Sequence, residues 1–341
     1  MRKMQNVLYV MSHGSKLSVK NKSVCVTYNS NETHTIPVHN IETIVCFGNL
    51  TLTSAFMDFC AYNGVKLCLL SESGRYCGAF YGHQRGNIFL RTNQYRIFDD
   101  REISMDISKK IIETKVRNTI RFLGKSTANK SPENSFAIRN AIDKISSYKE
   151  KIYSVDTPEE LRAYEGLAAS AYFGAVDNML VNNDDGMKFE KRTRRPPENN
   201  MNALMSFLYT LLEIDVTAAL ECVGLDIQKG IFHTMNYNKP SLALDIMEEF
   251  RVGMCDKIAI SMVNKRQLTS ENFENDGDMI KLTREARKLV INEWQKRKKR
   301  MIYHPVLKEK IPEGLLPFAQ AQIMSSYLRG ESEEYVPFLW R

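Results

Sequence analysis

The period of the hydrophobic pattern changes once along this chain, near residues 81–83, and that change limits its folds more than any other feature. Ahead of it, residues 6–11, 23–28 and 43–47 are short runs rich in β-branched and aromatic side chains. Ser12-His13-Gly14-Ser15 and Asn29-Ser30-Asn31 separate such runs with turn-forming residues. Residues 53–62 depart from the pattern: apolar positions fall at helical spacing and stop at Asn63-Gly64, a helix C-terminal signal. A strand-like run at 65–70, a Ser73-Gly74 turn and a run at 76–81 follow. Beyond residue 83 the spacing becomes helical, and it predicts helices over roughly 86–99, 101–123, 133–150, 157–181, 200–222, 241–263, 278–303 and 314–329. The expected fold class is α+β: a small β-rich domain over 1–82, then a larger all-helical domain over 83–341. Two polar stretches, 183–199 with Asp184-Asp185-Gly186 and Pro196-Pro197, and the Asn-rich 265–277, read as mobile loops.

With 43% apolar and 26% charged residues, composition excludes a largely disordered chain. No uninterrupted apolar run approaches the roughly 20 residues of a membrane span. Met1-Arg2-Lys3-Met4-Gln5-Asn6 lacks the apolar core of a signal peptide. The seven cysteines contain no C-x-x-C pair and lie mostly in apolar runs, which disfavours both a disulfide framework and a zinc site. The expectation is a soluble, cytoplasmic protein with no membrane association.

The positive charge is concentrated. Residues 281–300 hold nine Lys or Arg against two Glu, a surplus equal to the net charge of +7 for the whole chain. Leu282, Ala286, Leu289, Val290 and Trp294 recur at helical spacing, while Arg284, Arg287 and Lys288 share another side. Lys188, Lys191, Arg192, Arg194 and Arg195 form a second cluster in the 183–199 stretch, and Lys109, Lys110, Lys115, Arg117 and Arg121 a third. Such faces are either simply solvated or bind a phosphate backbone in a salt-sensitive, sequence-tolerant way.

Three elements carry acids or histidine at telling positions. Thr157-Pro158-Glu159-Glu160 has capping-box spacing and a proline at the first helical position. On the helix it starts, Glu165 shares a stripe with Leu161, Ala168, Ala169 and Tyr172, where a carboxylate needs a positive partner or a route to solvent. From about Ser241, Glu248 and Glu249 fall on the face of Asp245, and Asp256 returns near it; these acids are a solvated face unless they meet a cation. His233 lies just upstream in Gly230-Ile231-Phe232-His233-Thr234, as a structural histidine or a ligand. A divalent ion would unite these elements, since carboxylates with one imidazole suit Mg²⁺ or Mn²⁺.

Several motifs together resemble the CRISPR-associated integrase family, the catalytic subunit of spacer acquisition. They are Arg192-Thr193-Arg194-Arg195-Pro196-Pro197 with Asn202-Ala203-Leu204-Met205-Ser206-Phe207-Leu208-Tyr209, Tyr164-Glu165-Gly166, and Pro240-Ser241-Leu242-Ala243-Leu244-Asp245-Ile246-Met247-Glu248-Glu249-Phe250-Arg251 downstream of His233. The tail from Gly314-Leu315-Leu316-Pro317 to Tyr335-Val336-Pro337-Phe338-Leu339-Trp340 resembles the variant of type I subtype C systems. The resemblance implies an N-terminal dimerisation domain and a helical catalytic domain. It also implies a Mg²⁺ or Mn²⁺ site with Glu165, His233 and Asp245 as catalytic and metal-binding residues, and Glu248 beside the metal. Arg192, Arg194, Arg195, Arg284, Arg287 and Lys288 become expected DNA contacts. The implied partners are double-stranded DNA (the prespacer and the CRISPR repeat with its leader), a second copy of this chain, and a small second adaptation subunit in a heterohexamer. An iron–sulfur nuclease would trim the incoming DNA. The implied reaction joins the 3′-hydroxyl ends of a short duplex into the repeat array by transesterification. Two competing readings are a non-catalytic architectural DNA-binding protein and a general nuclease for repair of branched DNA.

Overall fold

Strands and helices segregate along the chain as the change of period predicts. The computed structural model describes residues 7–340 except 11, 13, 29–31, 42, 72–75, 81, 83–87, 129, 182–184, 194–195, 238 and 278. The chain divides into two compact units, residues 1–86 and 87–341. In the first, strands β1 (Val7–Val10), β5 (Thr43–Phe47), β7 (Lys66–Leu70) and β8 (Tyr76–Phe80) form one sheet, with β8 alone antiparallel to its neighbour. A second sheet has the order β4 (Thr33–Pro37), β3 (Ser23–Thr27), β2 (Lys16–Lys20) and β6 (Thr51–Leu52). Helix α1 (Ser54–Tyr62) links the two sheets in sequence and starts where Thr53 accepts a hydrogen bond from the Phe56 backbone at 3.2 Å. Leu17, Val24, Ile44, Phe56, Cys60 and Leu67 are among the buried side chains of the shared core. Ile44 to Phe47 are buried on both faces, as a central parallel strand requires.

The second unit is mostly helical. Its helices are α2 (Ile88–Asp99), α3 (Arg101–Ser126), α4 (Pro132–Lys151), α5 (Pro158–Gly174), α6 (Asn200–Cys222), α7 (Ser241–Met247), α8 (Lys257–Asn264), α9 (Arg284–Lys298) and α10 (Leu316–Leu328). Helix α6 is long and apolar enough to cross a membrane, yet 67% of its most apolar window is buried inside the protein, as in a core helix.

Three expectations are corrected here. The span 278–303 is interrupted at both ends by antiparallel hairpins: β9 (Phe273–Asp276) with β10 (Met279–Leu282), and β11 (Met301–His304) with β12 (Glu309–Pro312). The first hairpin also orders most of the stretch at 265–277. The span 241–263 is not one helix: α7 ends at Met247, and a π-helical segment, Arg251–Asp256, leads into α8. The wide turn brings a glycine, Gly253, against the Trp340 indole. None of the seven cysteines is in a disulfide, and burial pushes the Cys46 and Cys60 thiols up to about 12, which suits core residues better than reactive ones.

Candidate metal centre

The N-terminus of α5 fixes where Glu165 emerges. Thr157 accepts from the Glu160 backbone at 3.3 Å, and Glu160 returns a bond to the Asp156 N–H at 3.2 Å, satisfying two helix-end donors. Two turns further on, Glu165 enters a cleft lined by Ala168, Ala169 and Tyr172 of its own helix, Lys115 of α3, and Arg251 and Asp256 of the π-helical segment. The small alanine side chains leave open space beside Glu165.

Lys115 joins two of the acids. Its ammonium pairs with Glu165 and lies 2.7 Å from Glu248 Oε2, while the Arg251 guanidinium lies 3.2 Å from Glu248 Oε1. Burial alone would lower the Lys115 pKa, but Glu248 and Glu165 outweigh it and hold the ammonium above its usual value. Burial would likewise raise Glu248, yet Arg251, Lys115 and His233 together hold its carboxyl below the ordinary range. Glu248 Oε2 is buried and has no hydrogen bond of good geometry, despite its closeness to the ammonium.

Asp245 does something different. Its Oδ2 accepts from the backbone N–H groups of Ile231 and Phe232 at 2.6 and 3.2 Å. Its Oδ1 accepts from the His233 backbone at 2.9 Å and sits 2.6 Å from His233 Nδ1. Four donors use the four or so lone-pair sites of a carboxylate, and the side chain is fully buried. In this geometry Asp245 braces the 231–233 turn and holds the His233 ring. With the ring proton on Nδ1 the imidazole donates to Asp245, and Nε2 is then left to face a ligand. Gly230 makes this approach fit, since a Cβ there would lie 2.6 Å from Ser241 Cβ and 3.0 Å from Asp245 Oδ2.

The solvated acidic face is absent: Asp245, Glu248, Glu249 and Asp256 are all buried, each with its own partners. Glu249 points away from the cleft, accepting from Tyr335 OH at 2.5 Å, Phe338 N at 2.6 Å and Gln320 Nε2 at 2.8 Å. Asp256 accepts from Tyr172 OH at 2.8 Å and Tyr209 OH at 2.7 Å. Burial pushes the Asp256 carboxyl up from 3.8 to about 6, against the opposing pull of the two hydroxyls. The folded state thus holds a proton that the unfolded chain has released, and the resulting stability is full below pH 3.8 and lost as the pH rises through 6. Across that window, thermal melts of Asp256→Asn should fall less with rising pH than wild-type melts. Equal slopes would remove Asp256 as the titrating group.

The expected DNA contacts fare unevenly. Arg284 and Lys288 are exposed on α9, but Arg287 is buried, because it lies on the side of the helix that also carries Val290, Ile291 and Trp294 into the core. Arg297 and Lys298 of the same run are buried against Glu313 and Asp215. Arg192 is half-buried, donating to Asn202 Oδ1 at 2.9 Å and Ser206 Oγ at 3.1 Å, so it braces the start of α6 instead of presenting a free cation. Arg194 and Arg195 lie outside the described residues. In the third cluster, Lys110 pairs with Asp106 and Glu334, Arg117 with Glu113, and Arg121 with the Trp340 carbonyl. Lys115 and Arg251 were the residues whose part in the site the sequence did not disclose. An apolar-flanked lysine facing a helix with a stranded carboxylate was the available signal.

Among the described residues, no three His, Cys, Asp or Glu side chains stand close enough to share one metal ion. Glu165 and Glu248 meet through Lys115, and His233 and Asp245 form a neighbouring pair. The donor set nonetheless suits a hard divalent ion: two carboxylates from separate elements, one oxygen buried without a hydrogen bond, one oriented imidazole, and a positive charge already drawn between the acids.

A β-rich unit ahead of a mostly helical unit is the arrangement this chain shares with solved CRISPR-associated proteins. The chain belongs to the Cas1 family: the family model described as CRISPR associated protein Cas1 matches residues 8–296. It is 37% identical to CRISPR-associated endonuclease Cas1 2 of Rhodospirillum rubrum over the full length of both chains. The solved structure of a Cas1 protein from Thermotoga maritima superposes with a TM-score of 0.84 at 27% identity, spanning 96% of this chain and all of that one. A casposase bound to an integration product shares the fold, with a TM-score of 0.84 at 20% identity over 98% of this chain and 94% of that one.

Proposed function

We propose that this protein is a Mg²⁺- or Mn²⁺-dependent DNA integrase and endonuclease of CRISPR adaptation, with Glu165, His233 and Glu248 as the metal ligands. The observation that carries the reading is the convergence of Glu165 and Glu248 on one cation, beside a histidine whose orientation is fixed by Asp245. A bound divalent ion would favour attack by a 3′-hydroxyl or water and offset charge on the transferring phosphoryl group. The chain's residues supply the rest. Asp245 holds the imidazole and its tautomer, Arg251 holds Glu248 ionised, and the alanine-lined cleft admits the substrate backbone. Because one phosphodiester replaces another, joining needs no ATP; water in place of the hydroxyl gives endonucleolytic cleavage.

In the same proposal the N-terminal unit dimerises the protein, and two dimers flank a small second adaptation subunit on prespacer and repeat DNA. An iron–sulfur nuclease trims the ends beforehand. Arg284 and Lys288 are the exposed cations of α9 offered as backbone contacts. Replacing both by Ala should lower the slope of log affinity against log salt by about 2, at roughly 0.9 per lost phosphate contact. Arg287→Ala should leave that slope unchanged and lower the melting temperature, as loss of a buried cation does.

The deciding experiment mixes this chain and its small partner with Mn²⁺, a supercoiled plasmid bearing a leader and repeat, and labelled duplexes ending in 3′-hydroxyl or 3′-deoxy groups. Label joined only with metal, Glu165 and a free 3′-hydroxyl establishes an integrase. Nicking without joining, also on plasmids lacking a repeat, leaves the branched-DNA nuclease. Binding with no chemistry leaves the architectural protein.

A further inference from the structure

Lys115 presents a chemical problem that the reaction itself does not explain. A lysine side chain 15% exposed places its ammonium between two carboxylates that would otherwise be the natural oxygen donors for a divalent ion. With Lys115 in place, its ammonium offsets part of the charge of the two acids and takes the position an ion between them would need. The ammonium and a metal ion cannot occupy that position together, because like charges at such separations in a poorly hydrated cleft repel strongly.

The geometry points to Lys115 as a tethered cation that competes with the metal for Glu165 and Glu248, and so links metal loading to DNA. This rests on the metal site proposed above. The competition has a direction. For an ion to enter, the ammonium must leave both carboxylates, and an ammonium left in this cleft with no anion is costly. Asp256, the other acid lining the cleft, is engaged by two tyrosine hydroxyls and offers the displaced ammonium no ready partner. A DNA phosphate in the cleft does. The lysine therefore weakens metal binding to the free protein, and DNA relieves that penalty. By linkage the effect is reciprocal: the metal strengthens DNA binding by the same factor. A site built this way keeps its carboxylates charged and organised while holding a hydrolytic ion only weakly until substrate arrives.

The test is Mn²⁺ affinity, read by electron paramagnetic resonance of the free ion, on the wild-type chain, Lys115→Met and Glu165→Gln, with and without a short duplex ending in 3′-deoxy groups. Lys115→Met should bind Mn²⁺ about tenfold or more tighter than wild type without DNA, and the gain that DNA brings to wild type should shrink in the variant. Equal or weaker binding by Lys115→Met, with Mn²⁺ still lost in Glu165→Gln, overturns the competition while leaving the metal site intact. Mn²⁺ binding that ignores Glu165 in every variant overturns the metal site and the competition together. Loss of Lys115 leaves the two carboxylates without their shared ammonium, so thermal melts in chelator and in Mn²⁺ accompany the titrations. A variant destabilised in chelator and restored by Mn²⁺ supports the proposal. Should Lys115→Met not fold in either condition, Lys115→Gln, which keeps a hydrogen-bond donor and drops the charge, decides it by the same comparison.

Discussion

Glu248→Gln should abolish the joining of 3′-hydroxyl ends as fully as Glu165→Ala or His233→Ala, by about 100-fold at least, whereas Asp245→Asn should retain measurable activity. The ranking follows from what each carboxylate is doing. Glu248 has a buried oxygen without a hydrogen bond, next to the ammonium that also pairs with Glu165, and against the effect of burial Arg251, Lys115 and His233 together hold its pKa down. Losing a residue of that kind removes a ligand. Asp245 has no lone pair to spare, since its oxygens already receive three backbone N–H groups and the imidazole. Its amide would turn an NH₂ group toward one or more of those donors, at about 1–3 kcal/mol for each bond left unmade. The consequence for chemistry is a misplaced His233, and loss of such an outer partner typically costs about 10–100-fold in metal affinity or activity. Single-turnover joining assays and melts of the four variants, run with Mn²⁺ in excess, separate the two effects. Both variants should melt lower, Glu248→Gln because Lys115 and Arg251 lose their shared anion, but only Asp245→Asn should regain activity as Mn²⁺ is raised. The reverse order would return the ligand role to Asp245.

The division into a β-rich and a helical part was legible because burial imposes its period directly on the sequence. Strands β1, β3, β5 and β7 and nearly every helix announced themselves through apolar spacing. Strand β4 did not, because it is an edge strand with largely exposed residues, and its pairing with β3 is a backbone matter. The break in the 241–263 span was hidden for another reason. Its apolar residues keep a helical spacing throughout, and the wide turn packs at Gly253 against Trp340, nearly ninety positions away in sequence. The site was half legible. A carboxylate on a stripe of alanines, and an acid-rich helix after a histidine, marked Glu165, His233 and the 245–256 region. Their individual roles were not marked, because Asp245, Glu248, Glu249 and Asp256 differ only in what meets them: backbone amides, a lysine, the C-terminal tail, and two tyrosines. The buried members of the basic run were missed likewise, since Arg287, Arg297 and Lys298 look the same in sequence as the exposed Arg284 and Lys288.

Gly253→Ala should destabilise the helical unit and disable the site at once, although alanine is the better helix former by about 0.5–1 kcal/mol. A Cβ at 253 would lie 2.1 Å from Cε2 of Trp340 and 2.5 Å from its Nε1, so one of the two must move. The indole is poorly placed to yield. Its Nε1 donates to the Glu249 carbonyl at 2.9 Å, its backbone N–H donates to Asn118 Oδ1 at 2.9 Å, and its carbonyl accepts from Arg121. Phe338 meets the ring edge-on at 5.3 Å, and the Arg297 guanidinium lies 5.9 Å from its centroid. Overpacking of this kind costs about 1–3 kcal/mol, or about 2–12 °C in melting temperature for a unit of this size. Replacing the large ring relieves the clash, so Gly253→Ala with Trp340→Leu should melt higher than the sum of the two single changes allows, a coupling of about 0.5–3 kcal/mol. Strict additivity would mean that the two positions do not touch. The loss of activity should exceed what the loss of folded protein explains. Trp340 and Phe338 grip both the backbone and the side chain of Glu249, and Glu249 is the next residue to Glu248. A tail pushed aside at Gly253 therefore shifts the carboxylate that faces Lys115. Mn²⁺ affinity measured well below the melting point should fall in Gly253→Ala and recover in the double variant, a readout that a purely structural role for the tail would leave unmoved.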